Sequence, residues 1–243
     1  MSVITCDIVN IQYICDVYLL SSMLRLQSVS FSYQKQEKLY KSLSYDFGVS
    51  GITALRGISG SGKTTLLHII WWLIKPQKWS VVFQWIAVND LMHDQLARYR
   101  NKHIWFSFQE HTLLDDCSVQ KNLMLPFLVW GGSPDKERYN HLVDVFMLSK
   151  LLHKSVQEIS GGEKERVSLV KSFLHKPDVL LLDEPGDSLD EGLKKALRWL
   201  IQEYAQNNLV VLASHDALLI DALGLEKSLD VWSLHFLSSH KQW

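Results

Sequence analysis

Cysteine is scarce in this chain: its 243 residues hold three, Cys6, Cys15 and Cys117, with no CxxC pair among them. Such a set builds neither a disulfide framework nor a zinc site, and the reducing cytoplasm is the compartment it fits. An excess of one charge is also missing, since 25 Lys and Arg stand against 26 Asp and Glu. No basic surplus argues for a nucleic-acid partner, and no acidic block argues for disorder. Long apolar runs are absent as well. The longest charge-free stretch is the 13 residues Asn122–Pro134, interrupted by Pro126 and a Gly pair. A membrane span needs roughly 20 mostly apolar residues, so this chain is not expected to cross a bilayer by itself. Glycine is sparse at 12 residues, while Trp occurs 9 times. What is present, 47% hydrophobic and 21% charged residues, suffices for a globular core of one large domain or two lobes.

Residues 1–22 carry two Asp and no Lys or Arg, which does not suit a signal peptide. They are read as an extension, either a loose arm or a translation artefact ahead of a start at Met23. Residues 23–243 are read as one domain. From Leu24 an alternating segment reaches Phe31, the pattern of a half-buried strand. A strand is expected at 51–56, a helix from Lys63 to about Leu73, short strands near 80–88 and a strand at 104–108. The region 118–175 reads as mostly helical. Two unbroken apolar runs, 179–183 and 209–213, read as buried parallel strands on either side of a helix near 190–206. Alternating strands and helices of this kind give an α/β fold with a largely parallel sheet.

Three motifs carry chemistry. Gly57, Ile58, Ser59, Gly60, Ser61, Gly62, Lys63 and Thr64 satisfy G-x-x-x-x-G-K-[ST], after a strand and at the start of a helix. Glycines let the backbone wrap a phosphate with its N–H groups, and the helix N-terminus adds its positive end. Lys63 would reach the β- and γ-phosphates, and the Thr64 hydroxyl would ligate Mg²⁺. The apolar strand Val179–Leu182 runs into Asp183 and Glu184. Ligands of open α/β sheets bind at the carboxyl ends of strands, so both acids face the same crevice as the loop. Asp183 would hold Mg²⁺ through water, and Glu184 would orient or deprotonate an attacking water. Third, Ser160, Gly161, Gly162 and Glu163 open a helix 19 residues or more ahead of those acids, a second anion cradle at a helix N-terminus.

In this order and spacing the motifs resemble those of the ATP-binding cassette (ABC) transporter ATPases, over nearly everything from Met23 onward. Ile159–Arg166 looks like the family signature, with Ile for Leu and Glu163 in the Gln position. Gln109 after Phe108 is similar to the glutamine that touches Mg²⁺ and senses the permease. Ser188-Leu189-Asp190 resembles the D-loop, His215 the switch histidine at the γ-phosphate, and Tyr33 the aromatic residue that stacks on adenine. Leu96-Ala97-Arg98, His103-Ile104 and Asn122-Leu123 are similar to the lipoprotein-release, macrolide-export and cell-division branch.

The resemblance implies a P-loop NTPase (RecA-like) core with an antiparallel β subdomain and a helical signature-motif subdomain at about 110–175. It implies Glu184, His215 and Gln109 as the catalytic set, and Thr64, Gln109 and Asp183 around Mg²⁺. Tyr33, Gly57 to Thr65, Ser160 to Glu163 and Asp190 are implied as the ATP contacts. A homodimer with ATP held between two copies, a separate transmembrane permease and a peripheral place on the cytoplasmic face of the cell membrane follow from the same resemblance. The function implied is ATP hydrolysis powering export or lipoprotein release. Two alternatives stand beside it: a cell-division-type regulator acting through a membrane partner, and a nucleotide-binding copy that does not hydrolyse.

Two departures from the branch pattern stand out. Pro185-Gly186-Asp187-Ser188 replaces the usual Thr-Gly-Asn after the acid pair. Trp71, Trp72, Trp79, Trp85, Trp105 and Trp232 fall where the branch carries Gly. UGA codons that mean Gly in the source, translated as Trp, would produce this pattern; a diverged copy repacked around Trp is the alternative. Tight turns need positive φ, which Trp tolerates badly, so strain is expected at these positions.

Overall fold

The computed structural model describes residues 22–33, 39–84, 86–108, 112–225 and 227–231, without the side chains of Lys78, Trp79 and Trp130. The residues 1–21, Trp85, Gln109 and Trp232 therefore lie outside the description.

Two sheets organise the chain. Strands β1 (Leu24–Phe31), β2 (Tyr40–Gly48), β4 (Lys78–Phe83) and β5 (Ile86–Ala87) form an antiparallel sheet in the order β2-β1-β4-β5. Strands β3 (Gly51–Arg56), β6 (Ile104–Ser107), β7 (Val179–Asp183), β8 (Leu209–Ala213) and β9 (Lys227–Asp230) form a parallel sheet in the order β6-β7-β8-β3-β9. Helix α1 (Lys63–Ile70) follows β3, and α2 (His93–His103) precedes β6. Helices α3 (Val119–Trp130), α4 (Lys136–Val145) and α5 (Gly161–Leu174) make the helical region. Helices α6 (Glu191–Ala205) and α7 (Ala217–Ala222) flank β8.

Strand period divides the core. In β7, Val179 and Leu181 face one apolar cluster, shared with α1 and the antiparallel sheet. Leu180 and Leu182 face a second, shared with α3, α5 and α6. Both faces of β7 and β8 are thus covered, which is why these strands read as unbroken apolar runs. Helix α6 presents Leu193, Leu197, Leu200, Ile201 and Tyr204 as one buried stripe, the spacing a 3.6-residue period requires.

Helix α1 ends sooner than the expected Leu73, in a left-handed cap. Trp72 N–H donates to Ile69 O at 3.0 Å and Leu73 N–H to His68 O at 2.9 Å, the paired bonds of a Schellman motif. Trp72 occupies its left-handed position at φ +61, where glycine is the usual residue. Trp71, at φ −79, carries no such strain. Trp105, in β6, does not show the strain expected at these positions. Its indole N–H donates to Ser172 Oγ at 3.0 Å, and its ring lies under Lys171.

Candidate nucleotide site

The carboxyl ends of three neighbouring strands supply the site. The loop after β3 leads to Lys63, Glu184 follows β7, and Ser214-His215 follow β8. One cavity of about 450 Å³ is lined by Ser59, Gly60, Gly62, Lys63, Thr64, Thr65, Glu184 and His215.

The phosphate loop is fixed from beneath. Gly62 N-caps α1 at φ +104 with no side-chain cap bond, so the first-turn N–H groups keep their hydrogen-bonding capacity for a ligand. A Cβ at Gly62 would stand 2.7 Å from Tyr40 Oη and 2.9 Å from Leu39 Cδ2, so glycine is required by space as well as by φ. Tyr40 is buried and donates to Gly62 O at 2.6 Å. Burial pushes its phenol well above the usual range, which keeps it a donor. Lys63 Nζ donates to Gly57 O at 2.8 Å and lies 3.7 Å from Glu184 Oε1.

The acids differ in environment. Asp183 is 4% exposed, and its Oδ1 is buried without a hydrogen-bond partner among the described residues. Burial raises its pKa, opposed by the Thr64 hydroxyl and by Lys63. A buried carboxylate oxygen left over beside a threonine hydroxyl fits the donor set of a divalent cation. Glu184 sits at φ +47. Its Oε2 accepts from His215 N–H and lies 2.9 Å from His215 Nδ1.

Tyr33 lies beside the loop, its hydroxyl 2.9 Å from Thr65 Oγ1 and its ring edge-on to Phe31. Ile58 is exposed, and Ser61 is buried in the loop. Gln109 lies outside the described residues. The signature residues are not on the cavity wall. Ser160 and Glu163 form a reciprocal capping box at the start of α5, with Ser160 N–H donating to Glu163 Oε2 at 2.7 Å. Hydrogen bonds from the Ser160 N–H and hydroxyl hold the Glu163 carboxyl below its ordinary range. Gly161 and Gly162 stand beside it with open space or ordinary contacts around their Cα atoms. Asp190 caps α6 by accepting from Leu193 N–H at 2.9 Å.

Three residues missed by sequence reasoning belong to this neighbourhood. Tyr40 supports the loop from the strand beneath it. Asp187 joins Glu184 and His215 in a cluster whose ligand atoms lie within 4.8 Å of one another; burial first, then Glu184, raises its pKa. Glu165 is buried and accepts hydrogen bonds from the loop after Glu184. The unusual Gly186-Asp187-Ser188 segment was the signal available for the last two.

The profile of the ABC transporter family matches residues 40–187. A lipoprotein-releasing system ATP-binding protein LolD from Idiomarina loihiensis is 32% identical over 210 residues, covering 83% of this chain and 92% of that protein. The ABC transporter ATP-binding protein YxdL of Bacillus subtilis is 30% identical over 203 residues, covering 81% and 79%. Among solved structures, the dimeric post-hydrolysis state of the ATP-binding cassette MJ0796, bound to ADP and phosphate, superposes with a TM-score of 0.75. It is 26% identical, over 86% of this chain and 95% of that one. The chain belongs to the ABC transporter family as an ATP-binding cassette. The expected architecture, a P-loop core with an antiparallel sheet and a helical region, is the one the structure has.

Proposed function

We propose that this chain is the ATP-hydrolysing subunit of a lipoprotein-release or export transporter, bound to a separate membrane permease on the cytoplasmic face. The observation that carries the reading is the convergence of Lys63, Thr64, Glu184 and His215 on one cavity, with Asp183 buried beside Thr64. Relatives named as lipoprotein-releasing ATP-binding proteins support the choice of substrate class. No helix among the described residues is long and apolar enough to cross a membrane, in keeping with a separate permease.

In this reading Lys63 and the N–H groups of the loop and first turn of α1 hold the phosphates, and Tyr33 stacks on adenine. Thr64 and Asp183, with Gln109, would hold Mg²⁺, which supplies charge neutralisation on the phosphate oxygens. Glu184 accepts a proton from the attacking water, and His215, beside it, contacts the γ-phosphate. Charge placement and alignment carry most of the rate enhancement in phosphoryl transfer. Ser160, Gly161 and Gly162, standing off the cavity, would meet ATP held by a second copy, with Asp190 in the contact between copies. Lys63 and both acids are present, which favours turnover over the non-hydrolysing alternative.

Lys63→Ala tests the site in its ground state. Titration calorimetry should show ATP affinity falling by about tenfold or more, since hydrogen bonds to a charged partner contribute about 1.5–3 kcal/mol. Equal affinity in mutant and wild type would remove Lys63 from the phosphates.

A further inference from the structure

We propose that Glu165 is a positioning residue for hydrolysis, a carboxylate clamp through which the signature helix sets the loop behind Glu184. The proposal rests on the reading of Glu184 and His215 given above. Glu165 lies in the second turn of α5, the helix whose N-terminus is Ser160-Gly161-Gly162. It is 9% exposed, and both its oxygens are engaged. Gly186 N–H donates to Oε1 at 2.7 Å, Ser188 N–H donates to Oε2 at 3.1 Å, and the Ser188 hydroxyl donates to Oε2 as well.

Two features make this a clamp rather than an incidental contact. The backbone N–H groups it accepts from bracket Asp187, the residue whose side chain joins Glu184 and His215. Fixing both neighbours fixes where Asp187 points. The loop also has little freedom elsewhere. Gly186 sits at φ +88, and a Cβ there would stand 2.9 Å from Leu197 Cδ2. The residue held by this arrangement, Glu184, is itself in the left-handed region at φ +47, a conformation that persists only when its surroundings over-determine it.

The chemistry requires a carboxylate. Two N–H donors and a hydroxyl converge on it, and a glutamine would offer one acceptor oxygen and turn an NH₂ group towards a backbone N–H. A buried donor then loses its partner, and the loop shifts to recover one. The helix that presents the signature segment is thereby joined to the catalytic pair of the same chain. In a two-copy sandwich, movement of α5 on the partner's nucleotide would be felt at Glu184 and His215.

The test compares wild type, Glu165→Gln, Ser188→Ala and the double variant for ATP affinity, KM, kcat and thermal midpoint, with Glu184→Gln as control. Glu165→Gln should hold ATP affinity within about twofold while kcat falls about 10- to 100-fold, the scale of a displaced catalytic group. Ser188→Ala should lower kcat less, and the double variant should match Glu165→Gln alone, because both act through one contact. Unchanged kcat with only a lower melting temperature would overturn the proposal, as would strictly additive effects. If Glu165→Gln does not fold, Ser188→Ala and Ser188→Asp carry the test. The aspartate, set against the Glu165 carboxylate, should reduce kcat more than alanine does, and equal turnover in the two would overturn the clamp. Turnover undiminished in Glu184→Gln would instead overturn the reading of the site and is separate from the clamp.

Discussion

At Trp72 two effects oppose each other. The side chain is 4% exposed and packs against Phe83 and Tyr99, so removing it leaves a cavity worth about 3–5 kcal/mol. The backbone, at φ +61, costs an L-residue about 1–2 kcal/mol. Indole Nε1 is moreover buried without a partner among the described residues. Trp72→Gly and Trp72→Ala both lose the indole, so their difference isolates the backbone. Glycine should be the more stable by about 1 kcal/mol in urea denaturation, since it alone occupies positive φ without strain. Alanine at least as stable as glycine would show that the left-handed cap carries no cost. Reading the codons at Trp71, Trp72, Trp79, Trp85, Trp105 and Trp232 checks the reassignment reading independently: UGA is expected, and UGG at all six would leave a diverged copy. Residues contiguous in sequence were legible in advance, because Gly57 to Thr64 and Asp183-Glu184 carry their chemistry locally. Tyr40, Glu165 and Asp187 were not, since their partners Gly62, Gly186 and His215 are brought to them by folding.

Among the elements, buried strands announced themselves and surface elements did not. β1, β3, β7 and β8 were readable because alternation or continuous apolarity survives along them. β2 (Tyr40–Gly48) escaped because its period breaks: Ser42 and, across the pair, Ser28 sit at positive φ where the register of β1 and β2 shifts. α2 escaped because none of its residues is buried, leaving no apolar stripe to read. α5 carries a different kind of hidden feature. Lys171 donates to Thr112 O at 2.9 Å, and burial pulls its pKa down to about 8 from 10.5. Between these values the unfolded chain keeps a proton that the folded chain releases, so this group makes stability rise with pH. Below about pH 8 both states hold the proton and the full cost of burying the charge is felt. Thermal melts from about pH 8 to pH 10 should show wild type gaining on Lys171→Met. A constant difference between the two across that interval would contradict the buried-cation account.

For the whole molecule, the proposed function makes the arrangement half of a site. The phosphate loop, Glu184 and His215 line one cavity, while Ser160 to Glu163 stand at the start of α5 away from it. A second copy related by a two-fold axis would bring its own Ser160-Gly161-Gly162 to that cavity and receive the first copy's in return, an isologous contact. The similar cassette MJ0796 is dimeric with ADP and phosphate bound, the kind of assembly proposed above for this chain. In the proposed cycle, hydrolysis empties the contact that ATP binding fills. Glu184→Gln keeps shape and hydrogen-bonding capacity while removing the base proposed above, an expected loss of about 10²- to 10⁴-fold in rate. The most direct measurement is the solution mass of Glu184→Gln by light scattering, with and without saturating ATP and Mg²⁺, alongside its rate of phosphate release. The account predicts a monomer without nucleotide, a stable dimer with ATP, and turnover reduced by at least about a hundredfold. A monomer at saturating ATP, or phosphate release at the wild-type rate, would contradict it.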